Sequence, residues 1–264
     1  TLFPYTTLFR SPRIMVADAD WCGVVQGLLS TGICGVYPRH LLHHVDDRPL
    51  LNGLFAVSKN EFSDAGIELH RLIMNMVPLN KLCRSIQGDV GTLPTLAGLS
   101  AFYLEENEIA VMNSEDIKCF YYLFRVPDSW MKFMGFAREI PTEFVPAQWK
   151  GEPCHLVAQV LPMGFINSVG LAQHIHRNVV RWSLANCETD LGGEAELRRD
   201  RPAPMGKDLY RVYLDNWDEV RKVDKRFVEE IEGKPSLHQL ALRQQYSLLE
   251  LPRHPKKSDR KSVV

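Results

Sequence analysis

Leu161-Pro162-Met163-Gly164-Phe165-Ile166-Asn167-Ser168 stands between two aspartates, Asp116 upstream and Asp215 downstream, and that order decides how the chain is read. Asp116 lies in Glu115-Asp116-Ile117-Lys118-Cys119-Phe120-Tyr121-Tyr122, after the apolar run Ile109-Ala110-Val111-Met112, which reads as a buried strand. Asp215 lies in Val212-Tyr213-Leu214-Asp215-Asn216. Here a strand ends in residue types that favour hairpin tips, because Asp and Asn tolerate positive φ. The pattern is a carboxylate on an apolar strand, a Pro-Gly turn opening a helix, and a second carboxylate at a hairpin tip. Carboxylates on two neighbouring strands suit hard divalent cations, which take oxygen from side chains, carbonyls, water and phosphate. Either aspartate alone is also what an ordinary strand edge or hairpin turn contains; the order of the three blocks separates the two readings.

Outward from these blocks, residues 54–59 read as a strand, Ser63-Asp64-Ala65-Gly66 as a turn and residues 69–76 as a returning strand. Lys59 sits on one arm of this hairpin and Arg71 on the other, and Val77-Pro78-Leu79-Asn80 closes it. Residues 130–137 read as a further strand ending before Pro141. Ser168 is the expected N-cap of a helix over 169–184, and residues 192–207 form a loop feeding a strand over 209–213. Val220, Val223, Phe227 and Ile231, spaced three, four and four apart with charges between, predict an amphipathic helix over 217–232, stopped by Gly233 and Pro235. A shorter helix is expected from Ser236 to about Leu249. Residues 12–50 carry scattered glycines and no sustained period.

Both ends read as foreign to the fold. Thr1-Leu2-Phe3-Pro4-Tyr5-Thr6-Thr7-Leu8-Phe9-Arg10-Ser11 resembles the translation of a widely used sequencing adapter, and Asp259-Arg260-Lys261-Ser262-Val263-Val264 the same adapter read from its opposite strand. Residues 1–11 and 259–264 are therefore expected to be adapter-derived, leaving 12–258 as the fragment that folds. Of the chain's 31 basic and 32 acidic residues, Arg10, Arg260, Lys261 and Asp259 lie in those ends, so the body has a net charge of −3. That is not the strongly basic balance of an autonomous nucleic-acid binder. No run approaches the ~20 apolar residues that span a membrane. The six cysteines form no CxxC pair, which predicts reduced thiols in an intracellular protein. His40-x-x-His43-His44-x-Asp46-Asp47 has a metal-like composition without an H-E-x-x-H pattern, and reads as a polar surface loop. His174 and His176, two apart on one helix, should face different ways. Arg198-Arg199-Asp200-Arg201 reads as a solvated loop.

Taken in order, the three blocks resemble catalytic motifs A, B and C of the reverse transcriptase palm, and the resemblance runs over roughly residues 50–258. It implies an α+β right-hand polymerase with fingers and palm, an antiparallel palm sheet with helices on one face, and the thumb missing. The implied activity is RNA-directed DNA polymerisation by the reverse transcriptase core of a retroelement polyprotein. Its partners would be an RNA template, a DNA primer and deoxynucleoside triphosphates, with no membrane, and its cofactor two Mg2+ ions, with Mn2+ as a substitute. By the same resemblance Asp116 and Asp215 are the catalytic metal ligands, with the Ile117 carbonyl as a third. Tyr121 holds the position of the aromatic gate against a 2′-hydroxyl. Lys59 and Arg71 match residues that grip the triphosphate, where Arg gives a bidentate contact and Lys a point charge. Met163 and Gly164 match the block that supports nucleotide and template. Lys256 or its neighbour Lys257 resembles the motif D lysine that protonates departing pyrophosphate.

Two positions depart from the family pattern. Asn216 stands where most reverse transcriptases carry a second aspartate, an Asp-Asn pair also found in polymerases of negative-strand RNA viruses. It keeps the turn and one acceptor oxygen and removes a charge, and Asp218 is expected to be a poor substitute because it lies past the turn. Met163 replaces the usual Gln, which puts a polar contact to the sugar in doubt. Three other readings compete: a catalytically decayed palm that only binds nucleic acid, an RNA-directed RNA polymerase, which usually has a second aspartate rather than an aromatic at the gate, and a metal hydrolase built on His40–Asp47.

Overall fold

The computed structural model describes residues 12–187, 191–231, 233–254 and 262–263. Its elements run in chain order as α1 (Asp18–Ser30), β1 (Cys34–Pro38), β2 (His44–Val45), β3 (Arg48–Pro49), β4 (Gly53–Phe62), β5 (Glu68–Asn75), α2 (Val77–Asn80), β6 (Glu108–Asp116), α3 (Asp128–Met131), β7 (Gly135–Glu139), β8 (Cys154–Ala158), α4 (Ser168–Ala185), β9 (Asp208–Tyr213), β10 (Asn216–Asp224), α5 (Val228–Ile231), α6 (Leu237–Leu248) and β11 (Ser262–Val263). The chain is thus mixed α+β, with small antiparallel sheets and several helices. It forms two compact units, one from described residues of Thr1–Ser85 and Tyr121–Ser168, the other from those of Ile86–Phe120 and Val169–Val264. Lys256, Lys257 and the stretches 1–11 and 259–261 lie outside the described residues. Among the described residues no helix is long and apolar enough to cross a membrane. Cys22, Cys34, Cys83, Cys119 and Cys154 carry free thiols.

The first unit is built on the sheet β1-β8-β7. Its central strand, Cys154-His155-Leu156-Val157-Ala158, is buried along its whole length, as befits an almost unbroken apolar run. Against the core lies α1, which buries Trp21, Val25 and Leu28, a stripe spaced four and three. The Trp21 indole donates to the Glu139 carbonyl at 2.9 Å, and Arg138 pairs with Asp18 at 2.7 Å in the helix's first turn. Residues 12–50 therefore hold the helix α1 and the strands β1, β2 and β3; Gly23 and Gly27 interrupt the α1 pattern that the sequence offered. The expected hairpin is β4–β5. Leu54 and Met74 at its root are fully buried, and such side chains stabilise by about 1.5–3 kcal/mol each, whereas Ala56, Val57 and residues 59–62 and 64–71 are exposed. Residues 77–80 form the single turn α2. Residues 128–131 are also a helical turn, following Pro127, so the strand expected over 130–137 begins only at Gly135.

In the second unit the sheet order is β11-β6-β10-β9. The helix expected over 217–232 does not form; residues 216–224 are β10, the strand between β6 and β9, and only 228–231 are α-helical. Several of the charges that suggested a wet helical face are paired within the unit. Asp218 bonds Arg211 at 2.7 Å, and Glu219 bonds His238 at 2.5 Å. Trp217, Asp218 and Glu219 are all buried, as in a strand covered on both faces. α4 and α6 match the expected helices, and the Ser236 side chain caps α6 by accepting from Gln239 N at 2.9 Å. Ser262–Val263 pairs with Val111 and Met112 along the outer edge of β6.

The block 161–168 turns tightly within the first unit. Phe165 N donates to Pro162 O at 3.1 Å, and the Ser168 hydroxyl donates back to the same carbonyl at 2.5 Å. Ser168 thus begins α4 and ties down the turn, where an N-cap was expected. Asn80 of α2 grips both sides of Gly164: its amide donates to Gly164 O and its oxygen accepts from Ile166 N, each at 2.9 Å. A Cβ on Gly164 would lie 2.2 Å from the Met74 carbonyl oxygen of β5, so glycine is what lets turn and strand meet. Gly164→Ala is expected to cost about 2–3 kcal/mol or more, read as a lower urea midpoint; an unchanged midpoint contradicts this packing.

Candidate functional site

Two residues, Leu214 and Asp215, join β9 to β10, with Tyr213 paired opposite Asn216. Two-residue hairpin loops need left-handed backbone, and Leu214 adopts φ 54°. For a residue with a Cβ this costs roughly 1–2 kcal/mol, so surrounding contacts must hold it. They come from α4. Gln173 accepts from Leu214 N at 2.8 Å and donates to Val212 O at 2.9 Å, and His176, three residues on, contacts Leu214 O through Nδ1. The tip that carries Asp215 is thereby fixed from its β9 side.

The same strand, β10, pairs with β6 so that Asn216 lies opposite Asp116, and Ile117 N donates to Asp215 O at 2.9 Å. Asp116 and Asp215 therefore sit at neighbouring strand ends, with Ile117 bonded to the backbone of the second. Opposed residues of an antiparallel pair share a sheet face. Tyr213, Asn216 and Asp116 make one row, and Arg211, Asp218 and Ser114 the row behind it. Asp116 is 7% exposed, and the Asn216 amide donates to Asp215 Oδ1 at 3.0 Å. Asp218 is on the same face as Asp116, so chain position does not remove it from the site. Its carboxylate is instead engaged by Arg211 at 2.7 Å and the Ser114 hydroxyl at 2.5 Å.

Behind Asp116, on the opposite face, two fully buried glutamates meet α6. Glu115 accepts from Gln239 at 2.8 Å, Arg243 at 2.5 Å and Arg253 at 2.7 Å. Glu219 accepts from His238 at 2.5 Å and Asn113 at 3.0 Å. Burial pushes the Glu219 carboxyl up, but hydrogen bonds from His238, Ser236 and Asn113 outweigh it and hold the group below its usual range. Beyond α6 the chain returns to the end of β6: Lys118 N donates to Pro252 O at 2.7 Å and His254 N to Asp116 O at 2.8 Å.

His176 is fully buried, and that burial, countered only in part by the Leu214 carbonyl, holds its pKa down to about 4. Its Nε2 lies 2.5 Å from the Tyr246 hydroxyl of α6, and burial raises the Tyr246 pKa well above the normal phenol value. A neutral imidazole protonated on Nδ1 satisfies both contacts, donating to Leu214 O and accepting from Tyr246. His174, on the exposed side of α4, pairs with Asp89 at 3.1 Å, so the two histidines do face apart.

Of the residues singled out in the sequence, Asp116, Ile117, Asp215 and Asn216 come together in the second unit. Lys59, Arg71, Tyr121, Met163 and Gly164 belong to the first. There β5 gathers several: it carries Arg71, meets Gly164 at Met74, and accepts the Tyr122 hydroxyl at Leu72 O, 3.2 Å. Lys59 is exposed in a bulge of β4 beside Asn60, which has φ 53°. Tyr121 is half-buried against the core of its unit, and Met163 is half-buried. In the His40–Asp47 stretch His40 pairs with Glu152 at 2.7 Å, while Asp46 and Asp47 form the β2–β3 turn at φ 50° and 59°. Among the described residues no group of three or more His, Cys, Asp or Glu side chains is arranged to hold a metal ion. Asp116 and Asp215 supply carboxylate oxygens, the donor type that magnesium and manganese take together with water and phosphate.

No protein-family model matches this chain, and no curated protein matches it. Around these strand ends the structure gathers residues to which the sequence gave no role at the site: Gln173, His176, Tyr246, Arg211 and Glu115. Gln173 and His176 had a signal in the sequence, since polar residues three apart on the buried side of a helix need partners. Tyr246 and Glu115 had none before the strands were paired.

Below its ordinary pKa of 6.5 the unfolded chain binds a proton at His176 that the folded chain refuses, so stability should fall from about pH 6.5 to about pH 4. His155, also lowered by burial, acts in the same direction. Glu219, held below its usual range, acts in the same direction at lower pH, losing stability only as pH falls below 4.5. Between about pH 7 and about pH 5 the His176 share is on the order of 2 kcal/mol. Urea unfolding should show that part of the pH dependence vanish in His176→Gln; an unaltered dependence contradicts the burial account.

Proposed function

We propose that this chain is the fingers-and-palm part of an RNA-directed DNA polymerase from a retroelement polyprotein, with Asp116 and Asp215 as its catalytic carboxylates. The observation that supports this best is the β6–β10 register, which sets Asn216 opposite Asp116 and bonds Ile117 N to Asp215 O at 2.9 Å. Asp116 and Asp215, with the Ile117 carbonyl, would hold magnesium, or manganese as a substitute. When bound, a pair of such ions activates the primer hydroxyl and stabilises the departing pyrophosphate. The substrates in this reading are deoxynucleoside triphosphates and a DNA primer on an RNA template.

The chain's own residues take the remaining roles. Arg71 and Lys59, exposed on the hairpin, bind the triphosphate. Tyr121 excludes a 2′-hydroxyl, Met163 and Gly164 support the nucleotide, and Lys256 or its neighbour Lys257 protonates the leaving group. Gln173 and His176 hold the Asp215 tip in its left-handed turn, so that the carboxylate needs no reorganisation when substrate arrives.

One observation favours a second reading, a decayed palm that only binds nucleic acid. Asn216 removes a negative charge, and its amide occupies an acceptor site on Asp215 at 3.0 Å. Deoxynucleotide addition to a primed RNA template separates the two. The polymerase reading predicts addition that requires magnesium or manganese, falls to background in Asp116→Ala, and needs less metal in Asn216→Asp. In the same assay Tyr121→Ala should admit ribonucleotides. Addition that survives in Asp116→Ala contradicts the assignment, and nucleic-acid binding with no addition even in Asn216→Asp supports the decayed palm.

A further inference from the structure

Neither α6 nor the residues just after it carry a proposed ligand, yet they touch both strand ends that do. Toward Asp215, the Tyr246 hydroxyl bonds His176 Nε2 at 2.5 Å, and His176 Nδ1 bonds the carbonyl of Leu214, the residue before Asp215. Toward Asp116, Arg253 bonds Glu115 at 2.7 Å and pairs with Ile117, while His254 N donates to Asp116 O at 2.8 Å. Tyr246 and Arg253 are seven residues apart; Tyr246 is fully buried, and Arg253 is half-buried against the fully buried Glu115. The face α6 turns inward, His238, Gln239, Leu242, Gln245 and Tyr246, is mostly polar, whereas Leu237, Leu240 and Leu248 are exposed. A helix placed for apolar burial alone would be turned the other way. This one faces the sheet with its hydrogen-bonding groups.

We propose that α6 and residues 249–254 form a bracket that sets the spacing between Asp116 and Asp215, with Tyr246 as its positioning residue toward Asp215 and Arg253 toward Asp116. The inference rests on the two-carboxylate reading. It explains why the strained Leu214 turn is tied to a second helix through a fully buried His-Tyr contact. Support of this kind behind a metal ligand typically changes affinity or activity by about 10–100-fold when lost.

The test is Mn2+ affinity measured by electron paramagnetic resonance on the full chain. Tyr246→Phe keeps the buried ring and removes only the hydroxyl. Tyr210→Phe is the control, because Tyr210 is equally buried on the same sheet and its hydroxyl has no partner among the described residues. Tyr246→Phe should weaken Mn2+ binding about tenfold or more, lower kcat for nucleotide addition and leave KM for the nucleotide unchanged, while Tyr210→Phe does none of these. Equal behaviour of the two variants overturns the bracket and leaves a merely structural tyrosine. Asp215→Asn separates the failures. If it abolishes Mn2+ binding while Tyr246→Phe does not weaken it, only the bracket falls; if Mn2+ binding ignores Asp215→Asn, the two-carboxylate reading falls with it.

Discussion

The pairing of Asn216 with Asp116 across β10 and β6 is the constraint on which the second unit turns. It puts the hairpin tip beside the end of β6. A slip of one residue would carry Asp116 to the opposite face from Tyr213 and Asn216 and expose the buried face of Trp217 and Glu219. The register is therefore protected on both faces. On one, Ser114, Asp218 and Arg211 link three strands in a single row. On the other, Glu115 and Glu219 are engaged by α6 and the residues after it. Both arrangements work only at this register, because each polar group loses its partner in any other. Leaving such a group buried and unpaired costs about 1–3 kcal/mol, and more for a charge.

Charge is thus used inside this unit as a specifying device, and it has electrostatic consequences at the strand ends. Glu115 faces two arginines behind Asp116, so its own charge is compensated there. Asp218 is neutralised by Arg211. The charge absent at Asn216 is therefore not restored by its neighbour two residues on, although that neighbour shares the face. What Asn216 provides is a donor that orients Asp215.

The blocks around Asp116 and Asp215 were legible because strand ends and tight turns are local: Ile109–Met112 is the apolar run of a strand, and Asp215-Asn216 marks the turn, although the left-handed position falls on Leu214. The hairpin β4–β5 and the helices α4 and α6 were legible for the same reason. Residues 217–224 were not, because Val220 and Val223 fit a helical spacing and the intervening charges mimic a solvated face. Only long-range partners such as Arg211 and His238 make those charges compatible with a buried strand. The α1–β1 region was obscured by Gly23 and Gly27, and β8 by having no polar alternation to mark it. Gly164 was expected only to support nucleotide and template, and the structure gives it a packing role against the Met74 carbonyl. Gln173, His176 and Tyr246 could not be read as one group, since they are joined only through a turn and a second helix.

The central claim is that Asp116 and Asp215 act as one cation site. Calorimetric Mn2+ titration of the chain, Asp116→Asn, Asp215→Asn and the double variant tests it most directly. A shared site predicts that either single change removes most of the binding and that the second adds little. Independent, additive losses, or binding that neither change affects, would contradict it.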